Sequence, residues 1–308
     1  MKKWAFIFLF LGQGVMAQDV HFSQWYNNPL FSNPAFTSYF DGDYRITAHQ
    51  REQWASVSIP FSTTSVGLDM PLNNWGVGAQ ILRDQSGSSR LSQTQLNLSV
   101  ARSLEDWRIG FQMGFAQRSI DYSDLIFNDN GETISSLTKN YLDMGFGVNR
   151  ALELNAGQMN VAYGLFHFNT PNRSFISVED KLALRHQFSS VFDYYLSEQW
   201  QLSPSVNLAF QQKQREWMLG SLIRFDMSEY YYKSIHLEAG AYYRFGDALT
   251  CLLGFQYEQS HLGFSYDWNT SDLVPASNSL GAWEVSLSHI INSSILSKPK
   301  YKTCPAFL

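Results

Sequence analysis

From residue 43 onward, apolar and polar side chains alternate with a period of two. The stretch "YRITAHQR" sets Tyr44, Ile46 and Ala48 on one face and Arg45, Thr47 and His49 on the other. In "WRIGFQMGFAQR", Trp107, Ile109, Phe111, Met113 and Phe115 oppose Arg108, Gly110, Gln112 and Gly114. In "IHLEAGAYYRF", Ile235, Leu237, Ala239, Ala241, Tyr243 and Phe245 oppose His236, Glu238, Gly240, Tyr242 and Arg244, and "WEVSLSHII" closes the series with Trp283, Val285, Leu287, His289 and Ile291 on one parity. Alternation of this kind predicts strands whose two faces meet different surroundings. About fourteen such segments fit between residues 43 and 291, among them 138–149 and 158–169.

Which face is inside decides the class. A soluble sandwich packs its apolar faces together, whereas an outer-membrane barrel turns them to lipid and keeps a polar interior. The segments run about 9–12 residues, the length a tilted membrane strand needs. Their polar faces combine charge with glycine (Arg108, Asp143, Glu238, Arg244), and aromatics gather at strand ends as interfacial girdles do. The pattern predicts an all-β fold, a transmembrane antiparallel β-barrel of about 14 strands, over a soluble β protein. An even strand number keeps both termini on one side, here expected to be periplasmic. Inward Arg and Glu residues are expected to pair across the lumen.

Connection lengths agree with that reading. With the first strand running outward, 119–137, 170–183 and 269–280 are long extracellular loops. The opposite connections are mostly short turns, with "DMSEYYYKS" before the eleventh strand a longer exception, and "LNNW" (72–75), "LEDW" (104–107) and "LSEQW" (196–200) share a form in which Trp opens the next strand. Such a Trp can anchor at the inner membrane–water boundary. The long loops mix Tyr122, Phe127 and Phe175 with Asp121, Asp124, Asp129, Glu132, Glu179 and Asp180. These three aromatics are candidate partner-binding residues, because aromatic anchors supply area and charges set orientation. The plainer reading is of solvated loops that shield the barrel mouth.

The chain start adds a compartment. Lys2 and Lys3 precede an apolar run from Trp4 to Val15, and Val15-Met16-Ala17 suits a cleavage site. Residues 1–17 are therefore expected to be a secretory signal peptide, cut between Ala17 and Gln18. A retained membrane anchor is the alternative, for which the run is shorter than the ~20 residues of a spanning helix. The remainder is organised as an N-terminal periplasmic or plug segment (18–42), the barrel (43–291) and a periplasmic tail (292–308).

Composition narrows function mainly by exclusion. Aromatic and charged residues each make up 16% of the 308 residues, against ~25% charged in a typical soluble domain. Mean hydropathy is −0.23, and no later apolar run is long enough for a spanning helix. The net charge of −5 argues against nucleic acid as a partner. Two cysteines, Cys251 and Cys304, do not make a disulfide framework. No Gly-x-Ser-x-Gly or His-Glu-x-x-His occurs, so no catalytic residue, cofactor or metal is assigned. "NDNGE" at 128–132 lacks the remaining ligands of a calcium loop and reads as a polar turn.

The stretch "HFSQWYNNPLFSNPAF" at 21–36 stands apart. It holds five aromatics and two Asn-Pro pairs, with no acidic residue. Pro29 and Pro34 stop a long helix, and the preceding Asn residues favour turns. His21, Phe22, Trp25, Tyr26, Pro29, Phe31, Pro34 and Phe36 are expected to fold against the periplasmic mouth or into the lumen as a partial plug. A docking surface for a periplasmic partner is the alternative, and both roles can coexist.

Several motifs together resemble the PorP/SprF family of type IX secretion proteins. "QDVHFSQWYNNPLFSNPAF" is similar to the family's mature start, "YRITAHQREQW" to its first strand and "IPFSTTSVGLDMPL" to its second. "HLGFSYDWNTSDLVPASNSLGAWEVSLSH" resembles its last hairpin, and the ending "CPAFL" departs from the usual Cys-Pro-Arg-Phe at Ala306. The resemblance implies a non-enzymatic protein of the outer membrane in Bacteroidetes-type bacteria, acting with type IX secretion and gliding machinery. It also implies, as partners, membrane lipid, other secretion components and a large surface adhesin bound through its type B C-terminal domain. A second function fits the same architecture: a barrel with an N-terminal plug that carries hydrophobic small molecules, as fatty-acid channels do. An outer-membrane hydrolase would need a nucleophile and base that the sequence does not display.

Overall fold

The computed structural model describes residues 19–53, 60–86, 91–121, 136–176, 178–228, 233–271 and 280–292. The expected cleavage site at Ala17 and Gln18, the loop aromatics Tyr122 and Phe127, the "NDNGE" turn, Cys304 and residues 293–308 of the tail lie outside them.

The strands are β1 (Tyr44–Gln53), β2 (Phe61–Leu72), β3 (Trp75–Ser86), β4 (Leu91–Leu104), β5 (Trp107–Ile120), β6 (Leu137–Leu154), β7 (Gly157–Phe166), β8 (Arg185–Tyr195), β9 (Trp200–Gln211), β10 (Gln214–Asp226), β11 (Ile235–Arg244), β12 (Ala248–Tyr257), β13 (Ser260–Asn269) and β14 (Leu280–Ile291). Each pairs antiparallel with its sequence neighbours, and β1 pairs with β14 from Tyr44↔Ile291 to Gln53↔Ala282, closing a fourteen-stranded barrel. Closure gives every strand a partner on both sides.

The two faces carry opposite chemistry. Leu237 is 44% exposed and its neighbour Glu238 only 6%; Phe111 and Gln112 stand at 36% and 7%. Val66, Leu68, Ile81, Leu98, Phe115 and Leu253 are exposed on the outside, while Thr47, Gln80, Asn149, Thr250 and Glu284 are buried inside. A soluble sandwich would show the reverse, so the exposed apolar wall is a lipid-facing surface. Cys251 is exposed on that wall.

The ends differ in construction. At one end residues 73–74, 105–106, 155–156 and 258–259 make two-residue turns, with positive φ at Asn73, Glu105 and Glu258. The connections at the other end include residues 121–136 and 167–184. These are the short-turn end and the long-loop end below. β6 is longer than the alternation predicts: it runs on past 149 to Leu154, paired with β7 as far as Leu154↔Gly157, and at its other end it begins at Leu137 opposite Ile120 and pairs with β7 only from Gly145 onward. The β5–β6 hairpin thus rises above its neighbour at the long-loop end. β7 in turn stops at Phe166, short of the expected 169, because His167 takes a φ of 59° and turns inward.

Candidate functional site

The barrel interior is occupied by the chain's own residues 19–40. Their sequence explains their shape. Trp25–Asn27 form a 3-10 turn, Pro29–Ser32 a single helical turn (α1), and Pro34–Phe36 a second 3-10 turn. Proline opens the latter two, where its fixed φ fits and its missing N–H is no loss. The Asn33 side chain accepts from the Ala35 N–H at 2.8 Å, capping the last turn. These breaks let a segment rich in aromatics fold compactly where neither strand nor long helix would fit.

The segment starts in the long-loop half. Asp19 meets His167 Nε2 at 2.8 Å, His167 Nδ1 meets Asp143 at 2.8 Å, and Arg185 lies 3.9 Å from Asp19. Burial opposes charge on the ring, but the Asp19 carboxylate and the hydrogen bonds to Asp143 and Asp19 outweigh it and hold His167 up at about 9. Burial likewise opposes charge on Asp19, and His167 and Arg185 bring it down to about 2. Asp19 lies beside residues at the tips of β7 and β8, drawn there by their charges.

Below that clasp lies a charge network on the wall. Arg51 bridges Asp267 at 2.8 Å and Glu284 at 3.3 Å, and Arg244 reaches Asp267 at 3.3 Å. Ser23 sits at its centre. Its Oγ accepts from Arg51 and Arg244 at 2.7 Å each and donates to Asp267 at 2.8 Å, while its N–H donates to Glu284 at 2.8 Å. Gln24 N–H donates to the same carboxylate at 3.1 Å. His21 Nε2 accepts from Arg51 at 3.3 Å and Arg244 at 3.2 Å.

Midway, His49 Nε2–H donates to the Asn27 carbonyl at 2.9 Å and Gln80 to Asn28 Oδ1 at 2.8 Å. Trp25 packs with Met218, Tyr242 and Leu252 in a small apolar cluster that Tyr26 joins. Phe22 meets Phe31 edge-on, and Arg185 lies over Phe31. Phe36 stacks on Tyr39. The wall is thinned to admit this backbone: a Cβ at Gly110 would collide with the Pro34 carbonyl and one at Gly147 with the Asn33 side chain.

The segment leaves at the short-turn end. Arg45 pairs with Asp69 at 2.6 Å and donates to the Phe36 carbonyl at 3.1 Å, and Ser38 N–H donates to Asp69 at 2.6 Å. Arg108 donates to the carbonyls of Ala35 at 3.1 Å and Thr37 at 2.7 Å. A polar cavity of ≈ 370 Å³ remains, lined by Tyr26, Arg45, Asp193, Arg224, Glu238 and His261 among others.

The ion pairs depart from the expected cross-lumen pattern. Arg45 and Asp69, Arg51 and Glu284, and Arg224 and Glu238 are register partners on adjacent strands. The wall neutralises itself laterally, and the segment joins what is already paired. Asp69, Asp267 and Glu284 were not singled out by sequence; inward parity on their strands was the available signal. The loop candidate Phe175 is half-buried and lies against the Arg118 guanidinium, 5.2 Å from its ring centroid. The exposed apolar side chains of that loop are Ile176 and Val178, at 69% and 70%. No cluster of metal-ligating side chains occurs among the described residues.

A lipid-facing barrel with its lumen filled by its own N-terminal segment defines the class: a transmembrane β-barrel of the outer-membrane type. The chain belongs to the PorP/SprF family, described as type IX secretion system membrane proteins, whose sequence model matches residues 15–289. It is thus an outer-membrane component of type IX secretion. A search of curated proteins returns no match. Solved structures with a similar fold include the toluene transporter TbuX of Ralstonia pickettii (11% identity, 84% of this chain and 91% of that one, TM-score 0.53). The toluene transporter TodX of Pseudomonas putida is another (10%, 85% and 91%, 0.51), as is a FadL homologue of Pseudomonas aeruginosa (9%, 84% and 93%, 0.50). At these identities the likeness is one of fold.

Proposed function

We propose that the protein is a non-enzymatic anchoring component of type IX secretion, which holds or helps export a large surface adhesin through its type B C-terminal domain. The observation that carries this reading is membership of a secretion family combined with a lumen already filled by residues 19–40. With the interior engaged, docking falls to the rim. The long-loop end faces outside in this reading, and the loops at 119–137, 170–183 and 269–280 receive the adhesin. Ile176 and Val178 stand beside Glu179 and Asp180 there, an apolar centre with charged flanks. The other secretion components meet the short-turn end.

The experiment replaces residues 122–134 with a short Gly-Ser linker and, separately, changes Ile176 and Val178 to Asp. Barrel level in the outer membrane should stay constant while adhesin exposed on intact cells falls severalfold. Unchanged display after all three loops are replaced in turn moves docking to the short-turn end.

A second reading, transport of hydrophobic small molecules, draws on the fold shared with toluene transporters. The charge network of Arg51, Arg244, Asp267 and Glu284 across the path counts against it, since an apolar solute gains nothing by displacing paired ions.

A further inference from the structure

Two of the three Trp-opened turns carry a feature that the third lacks. Trp75 opens β3 opposite Arg102 of β4, and Trp107 opens β5 opposite Arg150 of β6. In both pairs the guanidinium lies 5.0 Å from the indole centroid. Trp200 instead faces Phe225, with ring centroids 4.5 Å apart. Both arginines are exposed on the lipid-facing parity, Arg102 beside Val100 and Leu104, Arg150 beside Val148 and Leu152. Among the described residues neither forms an ion pair of the kind that Arg45, Arg51 and Arg244 make inside the barrel.

A guanidinium with no protein anion, held by an indole on the lipid-facing wall, is placed to take an anion from the membrane surface. At the level of an interfacial Trp, that anion is a lipid phosphate. The indole fixes the plane of the guanidinium, leaving its N–H edge free for the two-point contact that arginine makes with phosphate. β4 and β6 are two strands apart, so the arginines are separated by ~10 Å along the wall, room for one headgroup each. We propose that the β3–β6 wall carries two phospholipid sites at its short-turn end, Arg102 with Trp75 and Arg150 with Trp107, each holding one anionic phosphodiester headgroup. The sites mark one side of the barrel, since Trp200 has no cation opposite it.

The test uses the full mature protein in detergent and native mass spectrometry, with phosphatidylglycerol as the probe. A galactosyl diacylglycerol of the same acyl chains and free glycerol phosphate are the comparisons. Two phosphatidylglycerol molecules should be retained, and the uncharged glycolipid should bind at least tenfold more weakly. Arg102→Gln and Arg150→Gln should each lose one lipid, and the double variant both. The single variants keep the proposal testable if the double variant fails to assemble. Arg83→Gln with Arg215→Gln, exposed arginines toward the long-loop end, should retain both lipids. Equal retention of the glycolipid, equal loss in the Arg83/Arg215 variant, or full retention by the Arg102 and Arg150 variants overturns the proposal. Tight binding of glycerol phosphate alone overturns the lipid as its source.

Discussion

The N-terminal segment is held differently at its two ends. Around Ser23 the wall offers two cations and two anions, and these remain paired with each other through Arg51–Glu284 and Arg51–Asp267 whether or not the segment is present. Near residue 36 the segment instead supplies bare carbonyls. Arg108 spends its donors on Ala35, Thr37 and Ser38 of the segment and on Ser103. Withdrawal would leave that guanidinium with Ser103 of β4 alone among these acceptors, and the chain is tied covalently to β1 at the same place. The upper contact is thus one the wall can lose without unpaired charge, and the lower one is not. The segment is built as a tether fixed at the short-turn end and docked in the long-loop half.

The largest way to break this asymmetry is to unbalance the upper network. Asp267→Ala leaves Arg244 with only Asp247, an exposed partner, and takes a buried bridge from Arg51. Removing one partner of a buried ionic cluster costs ~3–5 kcal/mol. Urea unfolding in detergent should show a loss of that size, and ion conductance in planar bilayers should rise as the segment undocks. Asp69→Ala should weaken the lower end comparably, since it strands Arg45 and the Ser38 N–H, yet conductance should stay low because Arg108 and the covalent tie remain. High conductance in the Asp69 variant alone would invert the comparison.

The wall glycines sharpen it further. At Gly110 a Cβ meets the backbone of Pro34 and Ala35, whereas at Gly263 it meets the ends of the Gln24, Ser286 and Asn27 side chains. Side chains can rotate away; a prolyl backbone cannot. Gly110→Ala should cost ~1–3 kcal/mol as an overpacked contact, and Gly263→Ala distinctly less, read as the difference between their unfolding midpoints. Equal losses would mean that the upper seat is as rigid as the lower.

Much of the barrel was legible from alternation, because a membrane strand must satisfy two different solvents at every second residue. Leu237 and Glu238, or Phe111 and Gln112, could be assigned to faces without any knowledge of their neighbours. The plug-like stretch from His21 to Phe36 was conspicuous for a related reason: five aromatics without a period have no surface of their own to bury. Its path was not legible. Ser23 reaches Asp267 over 244 residues and Glu284 over 261, and no local pattern encodes which inward carboxylates it meets. The idea that inward charges pair across an open lumen failed because register already sets Arg45 beside Asp69 and Arg51 beside Glu284. Residue type alone marks Phe175 as a candidate anchor, and its cation partner, Arg118, lies 57 positions earlier on β5, beyond any local pattern.

The smallest effect concerns the outermost clasp and separates it from the network beneath. His167 is held up at about 9 against an ordinary 6.5, so its contribution is complete below pH 6.5 and is lost as pH rises through 9. Asp19 is held down at about 2 against 3.8, so its contribution is present above pH 3.8 and disappears as pH falls through 2. The clasp is therefore fully formed only between those ordinary values. Raising the pH from about 6 to about 8 should remove ~1–2 kcal/mol, by proton linkage through His167. A cysteine placed at Asp19 to carry a fluorescent probe would itself delete the clasp, so the reporter belongs at Val20, with Cys251 and Cys304 both replaced by Ser. Its mobility should increase across that pH range while conductance stays low, because Arg51 and Arg244 still hold Ser23. His167→Gln should flatten the response, since glutamine keeps a hydrogen-bonding tip but has no titrating charge. An unchanged pH response in His167→Gln would assign the titration elsewhere, and a parallel rise in conductance would show that the rim clasp, not the Ser23 network, keeps the segment docked.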